Sequence, residues 1–230
     1  LCPVRFIGRV GEDASGDALV AQLGAIGVDV RVQRGDRTGT IVILVDDSGE
    51  RTMFPDRGAS AELGAIDEAW LDGVGWIHVP LYGFEDDGSA AALFQLADAA
   101  RARGIRLSID LSSVALLRDL GDDRVRWILD RTGAAVVFAN TEEAHQLGLF
   151  DAPVALSVVK AGPDPVTLLA GADVIRVPVP PVDDVADATG AGDAFAAGYI
   201  ARALDGGAPE ECVRAGGERA AVTLRTPGAA

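Results

Sequence analysis

Asp187-Ala188-Thr189-Gly190-Ala191-Gly192-Asp193-Ala194-Phe195 sets three small residues and an aspartate directly before an apolar helical run reaching about Leu204. The first amide N–H groups of a helix have no partner within it. With the positive end of the helix dipole they form an anion site, here the amides of Gly190, Ala191 and Gly192. Asp193 falls in the first turn, beside that anion. An aspartate there suits a base that takes a hydroxyl proton while the amides hold a transferring phosphoryl group. The same residues have a plainer reading. An acid favours a helix N-terminus, and glycines make a tight strand-to-helix turn.

Around this segment the chain alternates between strand and helix patterns. Residues 4–8, 76–79, 106–109, 135–138, 154–159 and 167–169 read as strands. Residues 17–26, 60–70, 89–103, 114–118, 123–131, 192–204 and 209–223 read as helices. Such alternation predicts an α/β fold with a mostly parallel central sheet and helices on both faces. Residues 28–57 depart from it. Their alternating β pattern, with a turn at Asp46-Asp47-Ser48-Gly49-Glu50, predicts a small β flap inserted into a single domain of residues 1–230.

The composition is that of an ordinary globular chain, 49% hydrophobic and 24% charged over 230 residues. A net charge of −15 speaks against nucleic acid as a partner, since phosphate contacts need clustered Lys and Arg. No apolar stretch reaches the roughly 18 residues of a membrane span, and no charged-then-apolar leader opens the chain. Cys2 and Cys212 form no disulfide framework and suit a reducing compartment. The expectation is a cytoplasmic protein with neither membrane nor nucleic acid as partner. The chain opens on Leu1 and its only methionine is Met53, so sequence upstream of Leu1 is expected to be missing.

In open α/β sheets ligands bind at the carboxyl ends of the strands. Asp110, Asn140 and Lys160-Ala161-Gly162 each follow a strand, which would bring them to one rim with the 190–193 turn. Each also has a structural reading. Asp110 would serve as a helix N-cap. Asn140 with Glu143 is a helix-capping arrangement. Lys160 would be a surface lysine in a β-turn. His78 and His145 read as packing or surface residues, and Asp13 as a structural one.

The 187–195 segment resembles the C-terminal signature of the ribokinase-like (PfkB-type) carbohydrate kinases, with Ala188 standing where threonine, serine or proline is commoner. Asn140-Thr141-Glu142-Glu143 resembles that family's Asn-x-x-Glu motif, and Gly8 to Gly16 its glycine, glycine, aspartate, glycine segment. The resemblance implies a ribokinase-like three-layer sandwich with a β lid over residues 28–57. It implies an ATP-dependent kinase using Mg²⁺ that phosphorylates a hydroxymethyl group of a small sugar or sugar acid, of the fructose, ribose or 2-keto-3-deoxygluconate type. A nucleoside kinase of the adenosine type and a catalytically silent nucleotide-binding relative are the alternatives.

For the site it implies Asp193 as base and acceptor contact, with Gly190, Ala191 and Gly192 as the anion hole. Asn140, Glu143, Lys160, Gly162, Thr189 and Gly192 would meet the nucleotide, and Glu143 would place Mg²⁺ through water. Asp110 would lie between nucleotide and sugar, and Asp187 with Thr189 beside a monovalent cation such as K⁺. Apart from the resemblance, Arg51 and Arg57 at the flap's return are a hint of an acidic acceptor, though a lone arginine is more often solvated, and an exposed lid edge invites pairing between two subunits. The family's Gly-Gly pair followed by asparagine is absent here, so the N-terminal strand, part of the lid and part of the sugar site are expected upstream of Leu1.

Overall fold

The computed structural model describes residues 2–45 and 51–226. The described residues fall into two compact units, those up to 72 together with 83–96, and 73–82 together with those from 97 on. The turn expected at Asp46 to Glu50 lies outside the described residues.

In the first unit, β1 (Arg5–Gly11) leads into α1 (Ala14–Ala25), which returns to β2 (Asp29–Gly35). β1 and β2 pair in parallel, Arg5 opposite Asp29 and Gly11 opposite Gly35. β3 (Thr38–Val45) and β4 (Arg51–Gly58) then form an antiparallel ribbon. This ribbon and β2 occupy the span expected for the flap. Ile41, Val42, Ile43, Leu44 and Phe54 on the ribbon are all exposed.

The helix expected over residues 60–70 does not form. Two single 3₁₀ turns stand there, Ala59–Glu62 and Glu68–Leu71. Gln33 of β2 takes the backbone between them, accepting from Gly64 N at 2.8 Å and donating to the carbonyls of Gly64 and Ala65 at 3.1 and 2.9 Å. Asp67 caps the second turn through Ala69 N. Backbone groups committed to a neighbouring strand cannot also close an i to i−4 helical ladder.

The second unit contains β5 (Trp76–Pro80), β6 (Arg106–Asp110), β7 (Val136–Asn140), β8 (Leu156–Ala161), β9 (Asp164–Ala170) and β10 (Asp173–Val177) in one sheet, in the order β10-β9-β8-β7-β6-β5. Pairing is parallel from β5 to β8 and antiparallel from β8 to β10. α2 (Asp87–Ala102) carries the chain from the first unit to the second. α3 (Val114–Leu120), α4 (Asp122–Thr132), α5 (Thr141–Gln146), α6 (Ala191–Leu204) and α7 (Pro209–Thr223) belong to the second.

Phe138, Val136, Val158, Val166 and Leu168 pack on one face against Phe195, Ala196, Tyr199 and Val213 of α6 and α7. Their chain neighbours Val137, Val159 and Leu169 face the other way and are buried as well. A sheet buried on both faces is the middle layer of three, so the second unit is the α/β sandwich that the alternation implied. α6 and α7 touch backbone to backbone. A Cβ on Gly198 would lie 2.6 Å from the Ala215 carbonyl, and one on Gly216 2.7 Å from that of Phe195. This close seat fixes where α6 begins.

Candidate active site

α6 opens on Gly190, in the left-handed region at φ 76°, and no side chain caps it. Gly190 O accepts the first helical bond, from Ala194 N at 2.8 Å. The structure differs from the sequence reading at Ala191, whose amide turns onto the Ala188 carbonyl at 3.2 Å. Among the described residues, no backbone carbonyl takes the amides of Gly190, Gly192 and Asp193. Those three are the donors open to an anion, and the Asp193 side chain is exposed beside them. The approach is set by Asp187, whose Oδ1 accepts from Thr189 N at 2.9 Å and Thr189 Oγ1 at 2.7 Å. The amide of Ala186 anchors the segment on Leu224 O, past the end of α7.

Lys160, next to last in β8, reaches this turn. Its Nζ lies 3.2 Å from where a Cβ on Gly192 would be, and it donates to Asp110 Oδ2 at 2.8 Å. Both side chains are mostly buried, 17% and 14% exposed. The N-cap reading of Asp110 does not hold: Ser113 caps α3 through Ala115 N and Leu116 N. The other Asp110 oxygen accepts from Ser112 N at 2.9 Å. Ser112 is thereby held at φ 68°, a left-handed conformation uncommon outside glycine, asparagine and aspartate.

Asn140 and Glu143 form a complete capping box on α5. Asn140 Oδ1 accepts from Glu143 N at 2.8 Å, while Glu143 accepts from Asn140 N at 2.8 Å and Asn140 Nδ2 at 2.9 Å. Glu143 is buried. Burial raises its pKa, against the bond from the Asn140 amide, and the negative charge of Asp110 adds to the rise. Asn140 pairs in register with Lys160 across β7 and β8, so both strand ends meet one rim as expected.

Gly162 stands at φ 60° in the β8–β9 turn, with open space where a side chain would be. His145 packs its ring 4.8 Å from Phe150. Arg57 is not available to an acidic acceptor as expected, because its Nη1 lies 2.7 Å from both Glu85 Oε2 and Asp86 Oδ2. The Arg51 side chain lies outside the described residues.

The sequence reading missed His78. The Trp76 indole N–H donates to Ser108 Oγ at 2.8 Å, and His78 Nδ1 hydrogen-bonds the same oxygen, also at 2.8 Å. The ring stands edge-on to Phe138, centroids 5.6 Å apart, although the residue as a whole is exposed. Burial holds its pKa down, with Asp110, Lys160 and Asp193 as the surrounding charges. Pairing of β5 with β6, Pro80 opposite Asp110, puts His78 in this neighbourhood; a strand-end histidine was the signal available.

Among the described residues no cluster of three or more His, Cys, Asp or Glu is arranged to hold a metal ion. Asp110, Glu143 and Asp193 are hard oxygen donors. They fit a magnesium that arrives on nucleotide phosphates and keeps much of its water.

The family model for pfkB carbohydrate kinases matches residues 1–230. The chain belongs to the pfkB family. These enzymes are phosphotransferases acting on sugar hydroxyl groups. An uncharacterized sugar kinase of Archaeoglobus fulgidus is 30% identical over 240 residues, covering 97% of this chain and 92% of that protein. An ATP-dependent ribose-1-phosphate kinase of Halopiger xanaduensis is 31% identical, covering 97% and 75%. In structure, the adenosine kinase of Sinorhizobium meliloti superposes with a TM-score of 0.90 at 24% identity, over 99% of this chain and 74% of that one. At that identity the likeness shows the ribokinase-like fold alone. No helix among the described residues is long and apolar enough to cross a membrane.

Proposed function

We propose that this pfkB family kinase transfers the γ-phosphoryl group of ATP to a hydroxymethyl group of a small sugar. The observation that carries the reading is the uncapped start of α6. Amides without a backbone acceptor at Gly190, Gly192 and Asp193, an exposed Asp193 carboxylate and the Lys160 ammonium beside Gly192 stand together at this turn. Amides aimed at a transferring phosphoryl stabilise charge that grows in the transition state. Asp193 accepts the acceptor's hydroxyl proton. Lys160 supplies a point charge to the phosphates, its position set by Asp110.

Asn140 and Glu143 hold the start of α5 and, with Asp110, would face magnesium through water. Bound magnesium supplies charge neutralisation between the phosphates. Thr189, Gly162 and Gly192 border the nucleotide in this reading, and Asp187 orders the turn beside which a monovalent cation would sit. The β2–β4 segment is the acceptor's lid, inserted into one kinase domain.

With Arg57 paired to two carboxylates, no described arginine of the flap favours an acidic sugar, so a neutral acceptor of the fructose or ribose type is the better supported. The exposed apolar ribbon also supports a homodimer through the lid, since an isolated two-stranded ribbon is marginal in water. ADP release should be measured with ATP and Mg²⁺ against neutral sugars, sugar acids, sugar phosphates and nucleosides. Turnover confined to a neutral sugar, with the product a phosphomonoester at its hydroxymethyl carbon, is the expected result. Turnover confined to adenosine would replace this reading with a nucleoside kinase, and nucleotide binding without turnover would replace it with a silent relative.

A further inference from the structure

Asp13 caps α1, accepting from Gly16 N at 2.8 Å. Its carboxylate also reaches 25 residues along the chain to Thr38, the first residue of β3. Thr38 Oγ1 donates to Asp13 Oδ1 at 2.6 Å, and Thr38 N donates to Asp13 Oδ2 at 2.7 Å. Thr38 Oγ1 in turn accepts from Gly11 N at 2.9 Å, at the end of β1. Thr38 is buried, and a methyl group at Gly11 would overlap both Thr38 N and Asp13 Oδ2. The loop therefore has room for these two residues in this arrangement and little else.

The remaining crossings at the ribbon's root are plain backbone and surface contacts. Ala59 N bonds Arg37 O at 2.7 Å, and Arg37 pairs with Asp56 at 2.7 Å with both side chains more than half exposed. The Asp13–Thr38 pair is the part-buried, charge-assisted member of the set, with Thr38 itself buried. Four donor–acceptor contacts on two side chains join the end of β1, the start of α1 and the start of β3.

We infer that Asp13 and Thr38 are positioning residues for the acceptor: they fix the root of the β3–β4 ribbon so that the lid is ordered before substrate arrives. This inference rests on the kinase reading above. A lid whose root is loose must be ordered on binding, and that entropy cost appears in the affinity of the ligand it covers. The hydrogen bonds from Thr38 hold the Asp13 carboxyl at about pKa 2, so it is ionised wherever the enzyme works.

The test uses Thr38→Val, which deletes the hydroxyl at constant shape, Thr38→Ser, which keeps it, and Asp13→Asn, in the protein expressed from its own gene. Two measurements are made on each. Amide hydrogen exchange of residues 38–45 and 51–58 should accelerate at least tenfold in Thr38→Val and Asp13→Asn, stay near wild type in Thr38→Ser, and leave α7 unchanged. KM for the acceptor should rise at least tenfold in the same two variants, with KM for ATP within twofold, and ATP hydrolysis per acceptor phosphorylated should increase.

Ribbon exchange that is unchanged, or changed equally in Thr38→Ser, overturns the clamp. Faster ribbon exchange with equal changes in both KM values, or in neither, overturns the link to the acceptor while leaving the clamp. If wild type turns over no acceptor, the kinase reading fails, and hydrogen exchange alone still decides whether Asp13 holds the ribbon.

Discussion

Lys160 donates to Asp110 at 2.8 Å while its ammonium stands 3.2 Å from the place a side chain on Gly192 would occupy. The one lysine of the chain thus stands between a carboxylate and the mouth of the anion site. Removing either partner of a mostly buried pair leaves the other uncompensated. Asp110→Asn is expected to lower stability by about 1–3 kcal/mol, read by denaturant unfolding. Lys160→Met is expected to raise KM for ATP about tenfold or more, with KM for the acceptor nearly unchanged. A larger effect on the acceptor than on ATP would place Lys160 elsewhere in the site.

Gly192→Ala tests the same relationship from the other side. The added methyl at 3.2 Å from Nζ displaces the lysine, so the variant should fold with little loss of stability and still bind ATP more weakly. Gly190→Ala differs, because its φ of 76° is strained for any L side chain. It should lose about 1–2 kcal/mol and disorder the first amides of α6, seen as a lowered kcat as well as a lowered Tm.

Glu143 offers a pH prediction. Burial raises its folded pKa, so the folded state binds a proton more readily than the unfolded one. The penalty for ionising it is absent below the ordinary carboxylate range and grows as pH rises through the raised value. Glu143→Gln should therefore gain stability relative to wild type as pH climbs through that window, while Glu143→Ala loses about 1 kcal/mol with the cap. Thermal unfolding across that window measures both. A difference that does not vary with pH would contradict the raised pKa.

Ser112 carries a cost that a substitution can relieve. At φ 68° an L residue is strained, and asparagine or glycine tolerates that region better. Ser112→Gly and Ser112→Asn should each raise stability by roughly 0.5–1 kcal/mol while the Lys160–Asp110 pair stays intact. Loss of stability in both would mean that the Ser112 hydroxyl contact with Asp110 O, at 3.0 Å, matters more than the strain.

Much of this arrangement is legible in the sequence because it is local. α7 spans the expected 209–223, β5 to β8 stand within a few residues of their apolar runs, and the Asn140–Glu143 box follows from i, i+3 spacing alone. What was missed depends on partners distant in the chain. β10 went unread because four of its five residues are exposed and it follows β9 after a short turn, so it carries no burial pattern. The 60–70 segment has helix-forming residues, yet Gln33 claims its backbone. Likewise, Asp110 reads equally well as an N-cap until Lys160, 50 residues on, is seen to bind it, and nothing in residue spacing reveals the contacts of Trp76 and His78 with Ser108.

Asp193 remains the central claim. Single-turnover transfer of the γ-phosphoryl group from ATP to the best acceptor should be compared in wild type and Asp193→Asn, with ATP affinity measured alongside. Transfer is expected to slow at least about a hundredfold with ATP binding within twofold, since the amides of Gly190 and Gly192 remain. Equal transfer rates in the two proteins would contradict that claim.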